Sequence, residues 1–413
     1  MIMPIIIAFA SVILMEGTGH GLLKILHIKR TIGFTAPIGT AFVFSLLELL
    51  YLPRLCIGGS FDWIKGASML VLIGSVAILI GNLKDTFHSL VRGRMVYVLL
   101  SFIMMLGLFY LCRANLSILH DSELLLMEKN MNSQSIMLET NRLQGYEMLG
   151  AIVAWLFSGN LEKVALTLAL FTTMISVMIS LDIIDSFDIG NPWFRFTLIV
   201  SSVFYAQFYA WKISGAYHGG NWRILLIALA LFVLYEWLKT GIENLKYLFP
   251  IVIFAGMFAH NGFLMVGFEL VYLCAIYLFR IKKIRSLYDV LTFFIPIIIY
   301  GIAWMSKYSK VSAILLTIVA IVFYLARMKR SVYVHLIRVE DFMIDHSWNL
   351  FFITIPMIFL VGTFLLRYFT VRYSVPYSEY IRFFSSRSIG AYLFLNHSIL
   401  DIVLDIFRWG GVL

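Results

Sequence analysis

Two carboxylates, Asp121 and Glu123, stand in the run His120-Asp121-Ser122-Glu123, just past an apolar stretch of membrane-spanning length. A carboxylate at the base of a loop can take a proton from an attacking hydroxyl or amide, and a pair of them can hold a divalent metal. A spacing of two lets both point into one cavity if the segment is extended. The plain alternative is solvated loop charge. The pair opens the longest polar stretch of the chain, from Arg113 to Tyr146.

Other polar groups could serve the same chemistry. Arg113 can clamp a phosphate with its planar fork or lay its charge among lipid headgroups. Glu139, Arg142, Tyr146 and Glu147 mark the return into the membrane, where Arg142 can pair with either glutamate. Lys212, His218, Asn221 and Arg223 surround Gly215, Gly219 and Gly220. Glycines let a backbone approach a ligand, and a helix beginning near Asn221 offers amides to an anion. The same run also reads as a turn whose basic residues meet headgroups. His260 and Asn261 interrupt an apolar region, which marks a site, a pathway or a hydrogen-bonded packing pair. Arg367, Arg372, Arg382 and Arg387 form a second polar stretch, 367–387. Alternation places these arginines outside, against the usual bias, so either an anionic client holds them there or the count of spans before them is off.

The elements that must position these groups are apolar. Hydrophobic residues make up 61% of the 413, charged residues 13%, and mean hydropathy is +0.91. A soluble domain carries roughly 25% charge, so this chain cannot cover a water-facing surface and must face lipid. Apolar runs are expected to span at about 2–23, 34–52, 67–83, 95–112, 146–159, 161–184, 195–211, 222–237, 247–259, 262–279, 288–305, 311–327, 349–366 and 387–407. Only helices or closed barrels satisfy the backbone in lipid, and runs this long without alternation are helices. The expectation is an all-α polytopic bundle of about 12–13 transmembrane helices forming one transmembrane domain over 1–413.

The run Ile2–Met15 has no basic residues before it and no small-residue cleavage site after it, so it reads as a retained helix. Cys56, Cys112 and Cys274 are far apart in or beside apolar runs and read as small buried hydrophobes. The formal net charge of +9 is spread over loops, the habit of polytopic proteins, and does not point to nucleic acid. No Walker or Rossmann glycine pattern is present.

Lys24, Lys29 and Arg30 place the first loop inside, and Lys84, Arg92 and Arg94 place the third there. The loop 113–146 then falls outside, and with Glu147 it holds five acids against three bases. Asp182, Asp185 and Asp188 form a second acidic loop, placed outside by alternation. Arg280, Lys282, Lys283 and Arg285 argue for inside, which simple alternation through 195–279 does not give. One segment must fail to cross, and 247–259 with 262–279 is the expected one, as a broken or re-entrant element.

The pattern resembles the GT-C class of polytopic glycosyltransferases, which take sugars from polyprenyl-phosphate donors. Such enzymes carry an acidic motif in the first large external loop, a return with a Gly-Tyr start, here Gly145-Tyr146, and a small-residue helix ending near a glycine, here Gly159. It is similar, more closely, to a group of bacterial GT-C-like membrane proteins with a glycine-rich turn followed by a basic residue, here Gly219, Gly220 and Arg223. The likeness covers residues 1–280 or so; the relatives' acidic run is two or three adjacent aspartates, where this chain has Asp121-Ser122-Glu123. Residues 388–397 are similar to the last helix of acyltransferase-3-type membrane enzymes, whose Arg and His near the N-terminus have no counterpart here.

The resemblance implies a GT-C-like core in a bacterial plasma membrane. It implies transfer of a sugar from a polyprenyl-phosphate donor to a cell-envelope glycan or lipid acceptor at the outer face. Asp121 is then the general base, and Glu123 orients the acceptor or joins Asp121 on a metal. Arg113, His218, Asn221, Arg223, His260, Arg372 and Arg382 are the substrate-binding candidates. Members differ in their need for Mg²⁺ or Mn²⁺, so no cofactor is obligatory. The partners implied are the donor, the acceptor and membrane lipid, with no nucleic acid. The alternative is a transporter or flippase for a lipid-linked glycan, and a third is a membrane O-acyltransferase with His397 as base.

Overall fold

In the computed structural model the described residues are 2–28, 33–56, 60–91, 95–112, 122–132, 145–201, 219, 221–260, 263–284, 287–306, 310–326, 330–346 and 349. The protein is all-α, with no strand among these residues. It divides into two compact units, 1–261 and 262–413, parting at the Asn261 break.

The first unit holds α1 (Ile2–Ile25), α2 (Ala36–Tyr51), α3 (Pro53–Cys56), α4 (Phe61–Gly81), α5 (Leu83–Val91) and α6 (Met95–Cys112). It continues with α7 (Ser122–Asn132), α8 (Gly145–Leu156), α9 (Leu161–Ser186), α10 (192–201), α11 (Asn221–Thr240), a 3-10 turn at Glu243–Tyr247 and α12 (Leu248–Ala259). Among the described residues α1, α4, α9 and α11 are long and apolar enough to cross a membrane, and a fifth span results if α5 and the start of α6 count as one bent element. The remaining expected spans are shorter helices, lie in the second unit or fall outside the described residues.

Why the helices start where they do is visible locally. Ser60 Oγ accepts from the Trp63 amide at 3.3 Å, and Asn160 Oδ1 from the Lys163 amide at 3.1 Å, the usual N-caps. At α2 Pro37 fills a first-turn position and Thr35 makes no side-chain cap. The carboxylate Glu16 supplies it instead: Oε2 accepts from the amides of Thr35 at 2.9 Å and Ala36 at 2.6 Å. Asp182 of α9 accepts from the Phe34 amide through both oxygens, each at 3.1 Å. At Gly39 a methyl group would strike the Met15 carbonyl and the Gly19 backbone, so only glycine lets α1 and α2 touch this closely.

Side-chain ties fix which helix ends lie together. Lys24 pairs with Asp85 at 2.8 Å, and Asn244 Nδ2 donates to the Leu26 carbonyl at 2.8 Å. Lys239 Nζ donates to the Ser186 carbonyl at 2.7 Å and to Asp188 at 2.9 Å. With Asp182 on Phe34, these gather the first loop, the α4–α5 junction, residues 182–188 and residues 239–244 at one end, the basic-loop end. At the other end Trp63 Nε1 donates to the Leu50 carbonyl at 3.0 Å, and the Lys65 ammonium lies 5.7 Å from the Trp155 ring.

These ties correct the expected topology twice. The second acidic loop is not opposite the first loop: Asp182 and Asp188 share its end. The reason is α8. Its 12 residues rise about 18 Å against a core of ~30 Å. It starts against Glu48 and ends beside the first turns of α4, so it stays in one half of the unit. Helix α12, the expected non-crossing segment, climbs from the basic-loop end along α2, with Ser45 Oγ donating to the Ile251 carbonyl at 2.6 Å and Phe258 packing on Tyr51.

The stretch 113–146 also holds more than loop. Leu124 and Met127 of α7 are buried, Gly150 of α8 lies against Met127, and Gly159 lies by Glu128 and Met131. Helices α7 and α8 therefore run side by side. Helix α9, almost wholly buried, is the central post of the unit, while α4 leaves Leu70, Ile73 and Ile80 exposed.

The second unit holds α13 (Phe263–Arg280), α14 (Leu287–Ser306), α15 (Lys310–Ala326) and α16 (Arg330–Asp345). Phe268 meets Phe294 edge-on at 5.6 Å, joining α13 to α14. Helix α15 exposes Ile314, Leu315, Ile318, Val319 and Val322, a surface suited to lipid. Cys274 is free and buried, as expected; the side chains of Cys56 and Cys112 fall outside the described set.

Candidate buried site of the first unit

Helix α2 ends at Tyr51, just before Pro53, and the short α3 that follows carries Arg54. Arg54 Nη2 donates to both oxygens of Glu48, at 3.1 and 3.0 Å, and both side chains are 0% exposed. The guanidinium lies 6.0 Å from the Tyr51 ring, whose hydroxyl bonds that of Ser68. An ion pair this dry adds little net stability, because desolvating two charges offsets their attraction. Ionisable groups inside a membrane bundle are by default candidates for function.

Three elements converge on the pair. Gly145, the first residue of α8, sits against the Glu48 carboxylate and the Phe258 ring, where a methyl group would collide with both. Phe44 of α2 meets Trp222 of α11 at 4.9 Å and Phe258 of α12 at 4.8 Å, and Tyr146 lies 6.2 Å from Trp222. These rings pull their polar neighbours to one level of the bundle. Asn221 opens α11 and is buried, Arg223 is half-buried, and Glu147 is buried in the first turn of α8. His260 is buried at the end of α12, its amide bonded to the Gly256 carbonyl at 3.0 Å.

Of the sequence candidates, then, Asn221 and Arg223 flank Trp222 and His260 follows Phe258, the rings that pack with Phe44 and the Gly145-Tyr146 start. Glu123 lies in the first turn of α7, with its side chain outside the described set. Asp121, Arg113, His218, Arg372 and Arg382, and the whole polar loop 367–387, lie outside the described residues.

Sequence reasoning missed Glu48 and Arg54. The available signal was a pair of opposite charges flanking Pro53 at the end of an apolar run. It also missed Glu16 and His20, which sit one helical turn apart within the first run. His20 Nε2 stands 3.4 Å from Glu16 Oε1, with side chains 6% and 0% exposed. This second cluster fastens α1 to the start of α2 and lies toward the basic-loop end.

The cluster round Glu48 offers one buried cation, Arg54, two buried carboxylates, Glu48 and Glu147, the half-buried Arg223 and several aromatic faces. That set suits an anionic, partly apolar ligand. Among the described residues no three His, Cys, Asp or Glu side chains gather as metal ligands. Compared with known proteins, the chain matches no family model, no curated protein and no solved structure.

Proposed function

We propose that the protein transfers one sugar from a polyprenyl-phosphate donor to a cell-envelope glycan or lipid acceptor, at the membrane face opposite the basic loops. The observation that carries this reading is the position of α8. Its first turn lies inside the bundle, with Gly145 against Glu48 and Phe258 and Tyr146 beside Trp222. Helix α7, which runs along it, begins next to the acid pair.

In this reaction the acceptor hydroxyl attacks the anomeric carbon and gives its proton to Asp121. The bond from that carbon to the phosphate oxygen breaks, and the phosphate keeps the electron pair. Arg223, with Arg372 and Arg382, balances the charge that develops there. Glu123 orients the acceptor hydroxyl, and no step requires a metal.

The test uses the full chain in liposomes with a polyprenyl-phosphate sugar. Asp121→Asn is expected to lower transfer by about 10²–10⁴-fold while donor binding is retained. A wild-type chain that binds the donor and moves it across the bilayer without any transfer defeats the reading. That outcome favours a transporter or flippase, for which there is a specific observation: buried pairs of ionisable side chains occur in both halves of the unit, Glu16–His20 and Glu48–Arg54. His397→Ala in the same assay, with an acyl donor, separates acyl transfer.

A further inference from the structure

We propose that Arg54 binds the phosphate of an anionic isoprenoid lipid and that Glu48 competes with that phosphate for it. The inference takes only the class of ligand from the sugar-transfer reading; the site itself comes from the geometry.

Arginine keeps its charge in proteins, so a guanidinium with no solvent exposure must always face an anion. Here that anion is Glu48, which offers Nη2 both carboxylate oxygens at 3.1 and 3.0 Å. A phosphate presents the same kind of paired oxygens and carries more charge. Exchanging one anion for another leaves Arg54 neutralised throughout. The displaced carboxylate stays beside Gly145 and the first turn of α8, which it already borders and where the helix dipole favours negative charge.

A second observation points to a ligand at the same level. The indole N–H of Trp222 is buried and meets no acceptor, and the Trp222 ring lies within the cluster formed by Phe44, Tyr146 and Phe171. A buried donor left without a partner is costly, so its retention fits a polar group that arrives with a ligand. The surrounding rings suit the first isoprene units beside the phosphate. Glu48 is thus a resident stand-in for the lipid phosphate.

The test is binding of polyprenyl phosphate to the full chain in nanodiscs of neutral phospholipid, read by tryptophan fluorescence. Glu48→Gln is expected to bind about tenfold more tightly or better, since it removes the competitor. Arg54→Gln is expected to bind at least about tenfold more weakly, and the double variant to behave like Arg54→Gln. A merely structural ion pair predicts the opposite for Glu48→Gln, namely weaker binding. Glu48→Asp keeps a carboxylate in the bundle but draws it back from Arg54, and it is expected to gain affinity in the same direction. If neither Glu48 variant gains affinity, or if Arg54→Gln binds as the wild type does, the proposal is overturned. Inorganic phosphate showing the whole pattern while the lipid shows none overturns the assignment to lipid. The pattern without sugar transfer in liposomes defeats the transferase reading and leaves Arg54 in place. Transfer by a chain whose Glu48 variants show no gain does the reverse.

Discussion

Among single residues, the buried carboxylates carry the fold's polar architecture. Removing Arg54 leaves the Glu48 carboxylate dry and without its guanidinium. Arg54→Ala is therefore expected to lose about 3–5 kcal/mol, measured by unfolding in detergent micelles. Glu16→Ala removes the acceptor for two amides at the start of α2 and is expected to lose about 1.5–3 kcal/mol in the same measurement. If Glu16→Ala unfolds like the wild type, the carboxylate is not the cap of α2. The two pairs differ in how far the sequence could announce them. Glu16 and His20 are four apart in a helical run, so their meeting follows from helix geometry alone. Glu48 and Arg54 are six apart across a proline, off the three-and-four spacing that brings side chains together on one helix face, so their meeting does not follow from spacing. Asn221 and His260 stood out because polar residues are rare in apolar surroundings, but their common level depends on the rings of Trp222, Phe44 and Phe258.

For elements, the decisive one is α8. An apolar run of twelve residues looks the same in sequence whether it crosses, turns back or lies buried, so 146–159 reads as a span. Its partners decide otherwise. With α8 not crossing, residues 182–188 fall at the basic-loop end, which their bonds to the Phe34 amide and to Lys239 require. The prediction is direct. In a cysteine-free background, Lys24→Cys and Asp188→Cys are expected to react with an impermeant maleimide from one side of sealed vesicles. Asn160→Cys is expected to react from the other. Labelling of Asp188→Cys and Asn160→Cys from the same side contradicts the half-depth α8.

Across the whole molecule, composition was enough for the class. With so few charges and so many apolar runs, an all-helical membrane bundle is the only covering arrangement. The parting into two compact units at residue 261 was not legible: the apolar runs continue on both sides of it, and one transmembrane domain over 1–413 was expected. What composition could not rank was centrality, since α4 and α9 are similarly apolar yet one faces outward and the other is enclosed. Quenching by brominated lipid should tell them apart. Fluorophores at Leu70 or Ile73 of α4 are expected to be quenched strongly, and one at Ala165 or Met174 of α9 hardly at all. Equal quenching at the two helices would remove α9 from the centre.

The seat of α8 has a consequence for biogenesis. Gly145 rests on Glu48, which is synthesised before it, and on Phe258, which leaves the ribosome more than a hundred residues later. A twelve-residue segment cannot be integrated by hydrophobicity alone, so it must wait for α12 to arrive. Nascent chains stopped short of residue 258 should hold the flanking spans in place while this part of the fold is still open to protease.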